Sequence, residues 1–204
     1  MAHYGMAIDL KRCIGCNACT VACKAENGTP KGVFFTKVLE QVTGEFPIVR
    51  KKYVPVLCYH CKEASCERVC PTGATYKQPD GIVLVDYDKC VGCRSCYVAC
   101  PYKNRYFIPK GLLQQGYYGN RLTPFEQKKY PKYQEGVVVK CTFCAERVSQ
   151  GQRPACVVTC PAAARIFGDL EDPDSEISRL IRQRGGTQPL SDYNTEPSVY
   201  YLEG

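Results

Sequence analysis

Apolar and polar positions alternate most clearly in two neighbouring stretches, Val33 to Val42 and Phe46 to Val56, separated by Thr43-Gly44. Period-two alternation on either side of a turn predicts a β-hairpin. The short apolar run Gly81-Ile82-Val83-Leu84-Val85 follows the turn residues Pro79-Asp80-Gly81 and reads as another strand. Arg165 to Gly168 reads as a closing strand. Asp172-Pro173-Asp174 has the form of a helix start, with proline near the first position and acids in the first turn. A helix over roughly 174–184 would then end at Gly185-Gly186. Residues 101–139 show no period, but gather Tyr102, Tyr106, Phe107, Tyr117, Tyr118, Phe125, Tyr130 and Tyr133 among prolines and glycines. So long a loop in a compact domain is functional or disordered. Its aromatic, apolar and basic residues suit a partner interface; a shielding flap is the alternative. The polar tail 187–204 is expected to drape over a partner or over the chain's own surface. No stretch approaches about 18 consecutive apolar residues, so no transmembrane helix is predicted.

All sixteen cysteines fall into four runs. Cys13, Cys16, Cys19 and Cys23, and likewise Cys90, Cys93, Cys96 and Cys100, are spaced C-x2-C-x2-C-x3-C. Cys58, Cys61, Cys66 and Cys70 are C-x2-C-x4-C-x3-C, and Cys141, Cys144, Cys156 and Cys160 are C-x2-C-x11-C-x3-C. In this spacing three close thiolates hold one [4Fe–4S] cubane and the fourth crosses to another. Each iron corner takes one soft thiolate. Two intervening residues let a tight loop reach adjacent corners, and Gly15 and Gly92 sit where the backbone bends around sulfur. The x3 step carries the fourth cysteine about one helical turn onward. Pro71, Pro101 and Pro161 follow it in three runs and redirect the chain, whereas run one has Lys24. Four runs predict four clusters.

Runs two and three are adjacent and should exchange their fourth cysteines. That gives one set on Cys58, Cys61, Cys66 and Cys100, and one on Cys70, Cys90, Cys93 and Cys96. Runs one and four are left to pair, as Cys13, Cys16, Cys19 and Cys160, and as Cys23, Cys141, Cys144 and Cys156. Residues 7–23, AIDLKRCIGCNACTVAC, repeat in 84–100, LVDYDKCVGCRSCYVAC, with Asp9 matching Asp86 and Gly15 matching Gly92. CPTGAT at 70–75 and CPAAAR at 160–165 read as matching exits of the cluster loops. The expected fold is therefore α+β: two ferredoxin-like modules of short strands, short helices and long loops, each binding two clusters, one inserted in the other. Module one is 1–57 with 136–168, and module two is 58–110. Residues 111–135 form a Tyr-rich insertion, and 169–204 a C-terminal helix and partner-binding tail.

Zinc would also use C-x2-C pairs, but does not explain cysteine quartets with an x3 final step. Disulfide scaffolds are short and do not group their cysteines in ligand-spaced fours. A thioredoxin-like site needs one C-x-x-C in a βαβ frame. Only two histidines occur, His3 in the N-terminal tail and His60 between Cys58 and Cys61; with cysteines on every corner, His60 belongs beside a cluster or at the surface. No nucleophile–base pair, phosphate loop or carboxylate pair stands out, so no catalytic residue is assigned. The formal charge of +7 counts the thiols as neutral. Four clusters at about −2 each would bring the loaded chain near about −1. Lys11, Arg12, Lys89, Arg94, Lys140 and Arg147 stand beside cysteines and would offset that charge. Dispersed basic residues make nucleic acid a poor partner. The N-terminus shows neither a signal-peptide pattern nor twin arginines, so export would require a partner that carries a signal.

MAIDLKRCIGCNACTVACKAEN, CPTGATY, KCTFCAERV, PACVVTCP and FGDLEDP all resemble stretches of the four-cluster iron–sulfur subunits of the dimethyl sulfoxide reductase family of molybdenum or tungsten enzymes. The resemblance covers nearly the whole chain and is similar to the small subunits of polysulfide, thiosulfate and arsenate reductases and of phenylacetyl-CoA oxidoreductase. It implies a non-catalytic electron conduit between a molybdopterin catalytic subunit and a quinone-linked membrane anchor or a soluble acceptor. It implies the same cluster ligands, with the Cys13 cluster nearest the catalytic subunit, then the Cys23 cluster, then those of runs two and three. It also implies a peripheral place at the bacterial cytoplasmic membrane, on the periplasmic side by co-export, with a cytoplasmic place as the alternative. The insertion at about 111–135 departs from the polysulfide type and leaves the substrate class open. A stand-alone polyferredoxin is the second functional reading, and a zinc-bound interaction module the third.

Overall fold

The computed structural model describes residues 2–119 and 121–203, so residue 120 of the insertion lies outside the described residues. The chain opens on β1 (Tyr4–Asp9), buried from Gly5 onward, and enters the first cysteine loop and α1 (Ala18–Asn27). Next come β2 (Thr36–Glu45) and β3 (Ile48–Leu57), paired antiparallel. The turn between them is Phe46-Pro47, because register pairs Glu45 with Ile48. Thr43-Gly44, expected as the break, lies within β2. This ribbon projects: Leu39, Val42, Phe46 and Ile48 are all exposed, whereas Thr36, Val56 and Leu57 at its base are buried.

The second cysteine run carries α2 (Ser65–Arg68), followed by the hairpin of β4 (Thr75–Lys77) and β5 (Val83–Val85). The third run carries α3 (Ser95–Val98). The aperiodic span is not structureless. β6 (Tyr106–Phe107) pairs with β7 (Val138–Val139), and between them α4 (Pro124–Lys129) starts on a capping box of Thr123 and Glu126. The fourth run carries α5 (Ala145–Val148) and α6 (Ala155–Val158). Then come β8 (Arg165–Asp169), α7 (Glu176–Arg184) and β9 (Val199–Leu202).

Lys24 explains why α1 is ten residues long when α2, α3 and α6 are four each. Proline after the fourth cysteine disfavours helical backbone at that cysteine. Lysine does not, so α1 runs through Cys23 to Gly28, whose left-handed backbone caps it by donating to Lys24 O. The predicted C-terminal helix starts two residues later than Pro173 would place it. The Ser175 hydroxyl accepts from Ser178 N at 3.2 Å and fixes the N-cap there.

The tail covers the chain's own surface. β9 lies parallel to β1, making a three-stranded sheet in the order β8-β1-β9. Ile177 of α7 packs with Ala7, Ile166 and Leu202 against that sheet. The main core is continuous through both expected modules: Met6, Phe35, Leu57, Ile82, Ile108, Val139, Phe143 and Val199 share one buried cluster with Cys19, Cys23, Cys141 and Cys156. The small sheets and short helices give an α+β chain whose hydrocarbon core takes in four of the thiols. Among the described residues no helix is long and apolar enough to cross a membrane.

Candidate metal centres

All sixteen thiols are free. Each run places its first two cysteines on loops and its third in a helix; the fourth lies within α1 in run one and just beyond the helix in the other three. Positive backbone φ concentrates in these loops: Gly15 (70°), Asn17 (57°), His60 (44°), Gly92 (66°), Arg94 (63°), Phe143 (51°) and Cys144 (52°). Outliers of this kind cluster where function demands them, and alternating backbone hands turn successive N–H groups into an anion-binding concavity. Gly15 and Gly92 are also packed without room for a side chain. A Cβ would lie 2.3 Å from the Tyr53 ring at Gly15 and 2.0 Å from Gly136 O at Gly92. The exits match as well: Thr75 N donates to Cys70 Sγ at 3.4 Å, and Ala164 N to Cys160 Sγ at 3.3 Å.

The structure brings cysteines together across the sequence. Cys13, Cys16, Cys19 and Cys160 line one cavity with Arg165. Burial raises the Cys13 thiol, and nearby Cys19 and Cys160 add to the rise. Cys23 is pushed up to about 12 by burial and by Cys156 and Cys144, and Cys141 is raised by burial and by Cys23, Cys156 and Cys144 among others. Cys61 is pushed up to about 12 by burial, with Cys58, Cys66 and Cys100 contributing. Cys93 is lowered by the Ser95 hydroxyl against an opposing effect of Cys70, and Cys90 stands near Cys96. A thiol that resists ionisation when the site holds only protein is suited to a cation that replaces its proton.

Three further proximities link these groups end to end. Cys156 lies near Cys19, Cys141 near Cys58, and Cys96 near Cys66. Cys16 and Cys93, at the two ends, are the exposed cysteines among the sixteen. Each end also presents apolar side chains at repeat-equivalent positions: Ile14 (61% exposed) and Val21 (66%) at one, Val91 (67%) and Val98 (82%) at the other.

Buried polar groups line the interior of this row. His60 is fully buried and stacked on Phe143 at 3.8 Å between centroids, its Nδ1 accepting from Val83 N at 3.1 Å. Burial, with Lys140 and Arg105 nearby, holds its pKa well below the ordinary value, so the ring is neutral. Of the basic residues expected to offset cluster charge, Lys140 is buried, its ammonium bonded to Val83 O and, at 2.9 Å, to Cys141 O. Lys11, Arg12, Lys89 and Arg94 are exposed, and Arg147 is half-buried. Two buried cations escaped the sequence reading, Arg105 and Arg165. The signal was present: each stands five residues after a fourth cysteine, in C-P-x3-R.

Two buried side-chain atoms among the described residues have no hydrogen-bond partner, His60 Nε2 and Arg105 Nη2. With Nδ1 accepting, Nε2 carries a proton, so both orphans are donors. Both residues neighbour cysteines, and acceptors such as inorganic sulfide would satisfy them. The thiols do not converge on points: among the described residues no three His, Cys, Asp or Glu side chains could share one ion. Zinc bonds of about 2.3 Å would draw four sulfurs to about 3.8 Å from one another, whereas thiolates on separate corners of a cube stand farther apart. The donor set fits cubanes.

Comparison with known proteins agrees. Two models described as 4Fe-4S dicluster domains match, one over residues 49–113 and 120–170 and one over residues 12–74. A selenate reductase subunit from Mesobacillus selenatarsenatis is 43% identical, with 97% of this chain and 70% of that protein covered. The arsenate respiratory reductase iron–sulfur subunit of a Shewanella species is 38% identical, over 98% of this chain and 96% of that protein. The thiosulfate reductase electron transfer subunit of Salmonella typhi is 41% identical, over 89% of this chain and 83% of that protein.

Proposed function

The chain belongs to the family of iron–sulfur subunits that carry 4Fe-4S dicluster domains, and from that premise we propose how it conducts. It is an electron-transfer subunit holding four [4Fe–4S] clusters. When bound, each cubane supplies reversible one-electron chemistry. The chain supplies everything else: it fixes the spacing, excludes water and presents the ends. Four ligand sets are assigned: Cys13, Cys16, Cys19 with Cys160; Cys23, Cys141, Cys144 with Cys156; Cys58, Cys61, Cys66 with Cys100; and Cys70, Cys90, Cys93 with Cys96. They stand in that order along the conduit.

One observation carries this reading. The thiol groups link end to end through Cys19–Cys156, Cys141–Cys58 and Cys66–Cys96, and exposed cysteines occur only at the two ends. A row with an exposed cysteine at each end can take an electron in at one and give it up at the other; a store or a catalyst needs no second opening. Two ferredoxin-like modules, 1–57 with 136–168 and 58–110, account for the halves of the row.

The Cys13 end faces a molybdopterin catalytic subunit. Beside it, α1 and the insertion enclose an apolar groove lined by Val21, Phe34, Tyr117, Tyr118 and Phe125, suited to a protein partner. The Cys93 end hands electrons to or from a quinone-linked membrane anchor or a soluble carrier. The complex assembles before export and reaches the periplasmic face with a signal-bearing partner.

Anaerobic metal analysis tests the clusters: about sixteen irons and as much acid-labile sulfide per chain are expected. A colourless zinc protein would overturn the reading. Isolation of the native complex tests the partners. A large molybdopterin subunit should accompany the chain; recovery as a monomer reducing several unrelated enzymes would point to a stand-alone polyferredoxin.

A further inference from the structure

Burying an unpaired cation is among the most unfavourable things a fold can do. This chain buries two arginines almost completely, Arg105 at 2% and Arg165 at 4% exposure. Among the described residues no carboxylate pairs with either. Arg165 donates from Nη2 to Thr36 Oγ1 at 2.8 Å and from Nη1 toward Cys156 Sγ at 3.6 Å and Met6 Sδ at 3.7 Å. Arg105 donates from Nη1 to Thr75 Oγ1 at 3.1 Å and leaves Nη2 unpartnered.

Their positions are equivalent. Each lies five residues beyond the cysteine that crosses between clusters, and each is anchored by one buried threonine. Each also lies at a seam. Arg165 stands among Cys156 and Cys141 of the second set and Cys19 and Cys13 of the first. Arg105 stands among Cys66 and Cys58 of the third set and Cys96 of the fourth.

We propose that Arg165 and Arg105 are fixed charges shared by neighbouring clusters, Arg165 by the first and second and Arg105 by the third and fourth, and that each holds up the reduction potentials of its own pair. The inference rests on the ligand sets and the row assigned above. Its physical basis is simple. An added electron makes a cluster more negative, and a cation that cannot leave or deprotonate stabilises that state on both sides of the seam. A unit charge a few ångströms from a thiolate, at an effective dielectric near about 20, changes such an equilibrium by about tenfold or more. Sharing has a second effect: an electron moving between the two clusters of a pair stays beside the same cation, so the transfer is close to level.

The test is an EPR-monitored redox titration of anaerobically loaded holoprotein carrying Arg165→Gln, Arg165→Lys, Arg105→Gln or Arg105→Lys. Iron and acid-labile sulfide are measured first. Loading below four clusters in the unmodified chain would overturn the cluster reading; full loading with unmoved potentials would overturn only this inference. Arg165→Gln should lower two of the four potentials by at least about tenfold in the reduction constant, which is about 59 mV for one electron. Arg105→Gln should lower the other two. The lysine variants, which keep the charge but not the fork of hydrogen bonds, should return near the original values. Movement of the same two clusters in both glutamine variants, or lysine variants falling as far as glutamine ones, would refute the assignment and leave the arginines a packing role. Should a glutamine variant fail to load, Thr36→Asp or Thr75→Asp cancels the charge with the arginine in place. The same pair should fall, and unchanged potentials there would equally refute the proposal.

Discussion

Asp9 and Asp86 occupy the same position in the internal repeat and do the same local job. Asp9 Oδ1 accepts from Lys11 N at 3.0 Å and Arg12 N at 3.2 Å. Asp86 Oδ1 accepts from Asp88 N at 3.0 Å and Lys89 N at 3.3 Å. Their surroundings differ. Asp9 is 1% exposed and paired with Arg184, which α7 brings over the end of β1, with Nη2 at 3.2 Å from Oδ1. Asp86 pairs with the exposed Lys89 at 3.3 Å. Asp9→Ala therefore removes a buried carboxylate from a cation and from two amides. Losing one partner of a buried pair costs about 3–5 kcal/mol. The Arg184 side chain is 23% exposed, so its charge is already partly solvated, which favours the lower end. The Arg12 contact at 3.3 Å adds little, since that side chain is 56% exposed. About 3 kcal/mol lowers the midpoint of a chain this size by about 6–12 °C. The assay is anaerobic thermal unfolding of the holoprotein, with Asp86→Ala as the matched control, in which a far smaller fall is expected.

The pH dependence follows in sign. Burial raises the Asp9 pKa, but Arg184 and the Arg12 and Lys11 amides outweigh it and leave the group below its ordinary 3.8. A folded-state pKa below the unfolded one gives stability that is present above the unfolded value and lost only as pH falls through the folded one. The gap between wild type and Asp9→Ala should thus stay constant from about pH 6 to about pH 9. A midpoint fall equal to that of Asp86→Ala, or a gap that closes on going from pH 8 to pH 6, would refute the reasoning.

Lys24→Pro imposes on run one the exit of the other three; it should break the last turn of α1 and lower stability by about 3 kcal/mol or more, read from the same melts. Tyr201→Phe removes a hydroxyl that bonds Pro55 O at 2.8 Å and Tyr59 Oη at 2.9 Å. It should cost about 1–3 kcal/mol, because it leaves buried oxygens behind, and a neutral result would show that those oxygens find other partners. Cys23→Ser and Cys156→Ser should perturb the same EPR signal and Cys19→Ser a different one. A signal common to Cys19→Ser and Cys23→Ser, neighbours in one run, would show that the crossing of the fourth cysteine is wrong.

Local sequence was enough for much of this molecule, because the features concerned are themselves local. Cysteine spacing announced four clusters, alternation announced the β2–β3 ribbon, and Gly185 closed α7 at Arg184. Where two local signals competed, the boundary moved: the helix starts after Ser175 and not at the Asp172-Pro173-Asp174 signal, and the ribbon turned at Phe46-Pro47. Other features had no local signature. Val199–Leu202 pairs with a strand more than 190 residues earlier, and four residues carry no period that could name their partner. Lys140 and His60 are expected near the cysteines, and Arg105 and Arg165 are not singled out as charges, yet all four lie in the interior. The C-P-x3-R spacing marks Arg105 and Arg165 as equivalent, but does not by itself say that they are buried. What buries a cation is the set of thiols and carbonyls that distant segments bring to it, and only the assembled chain decides where those meet.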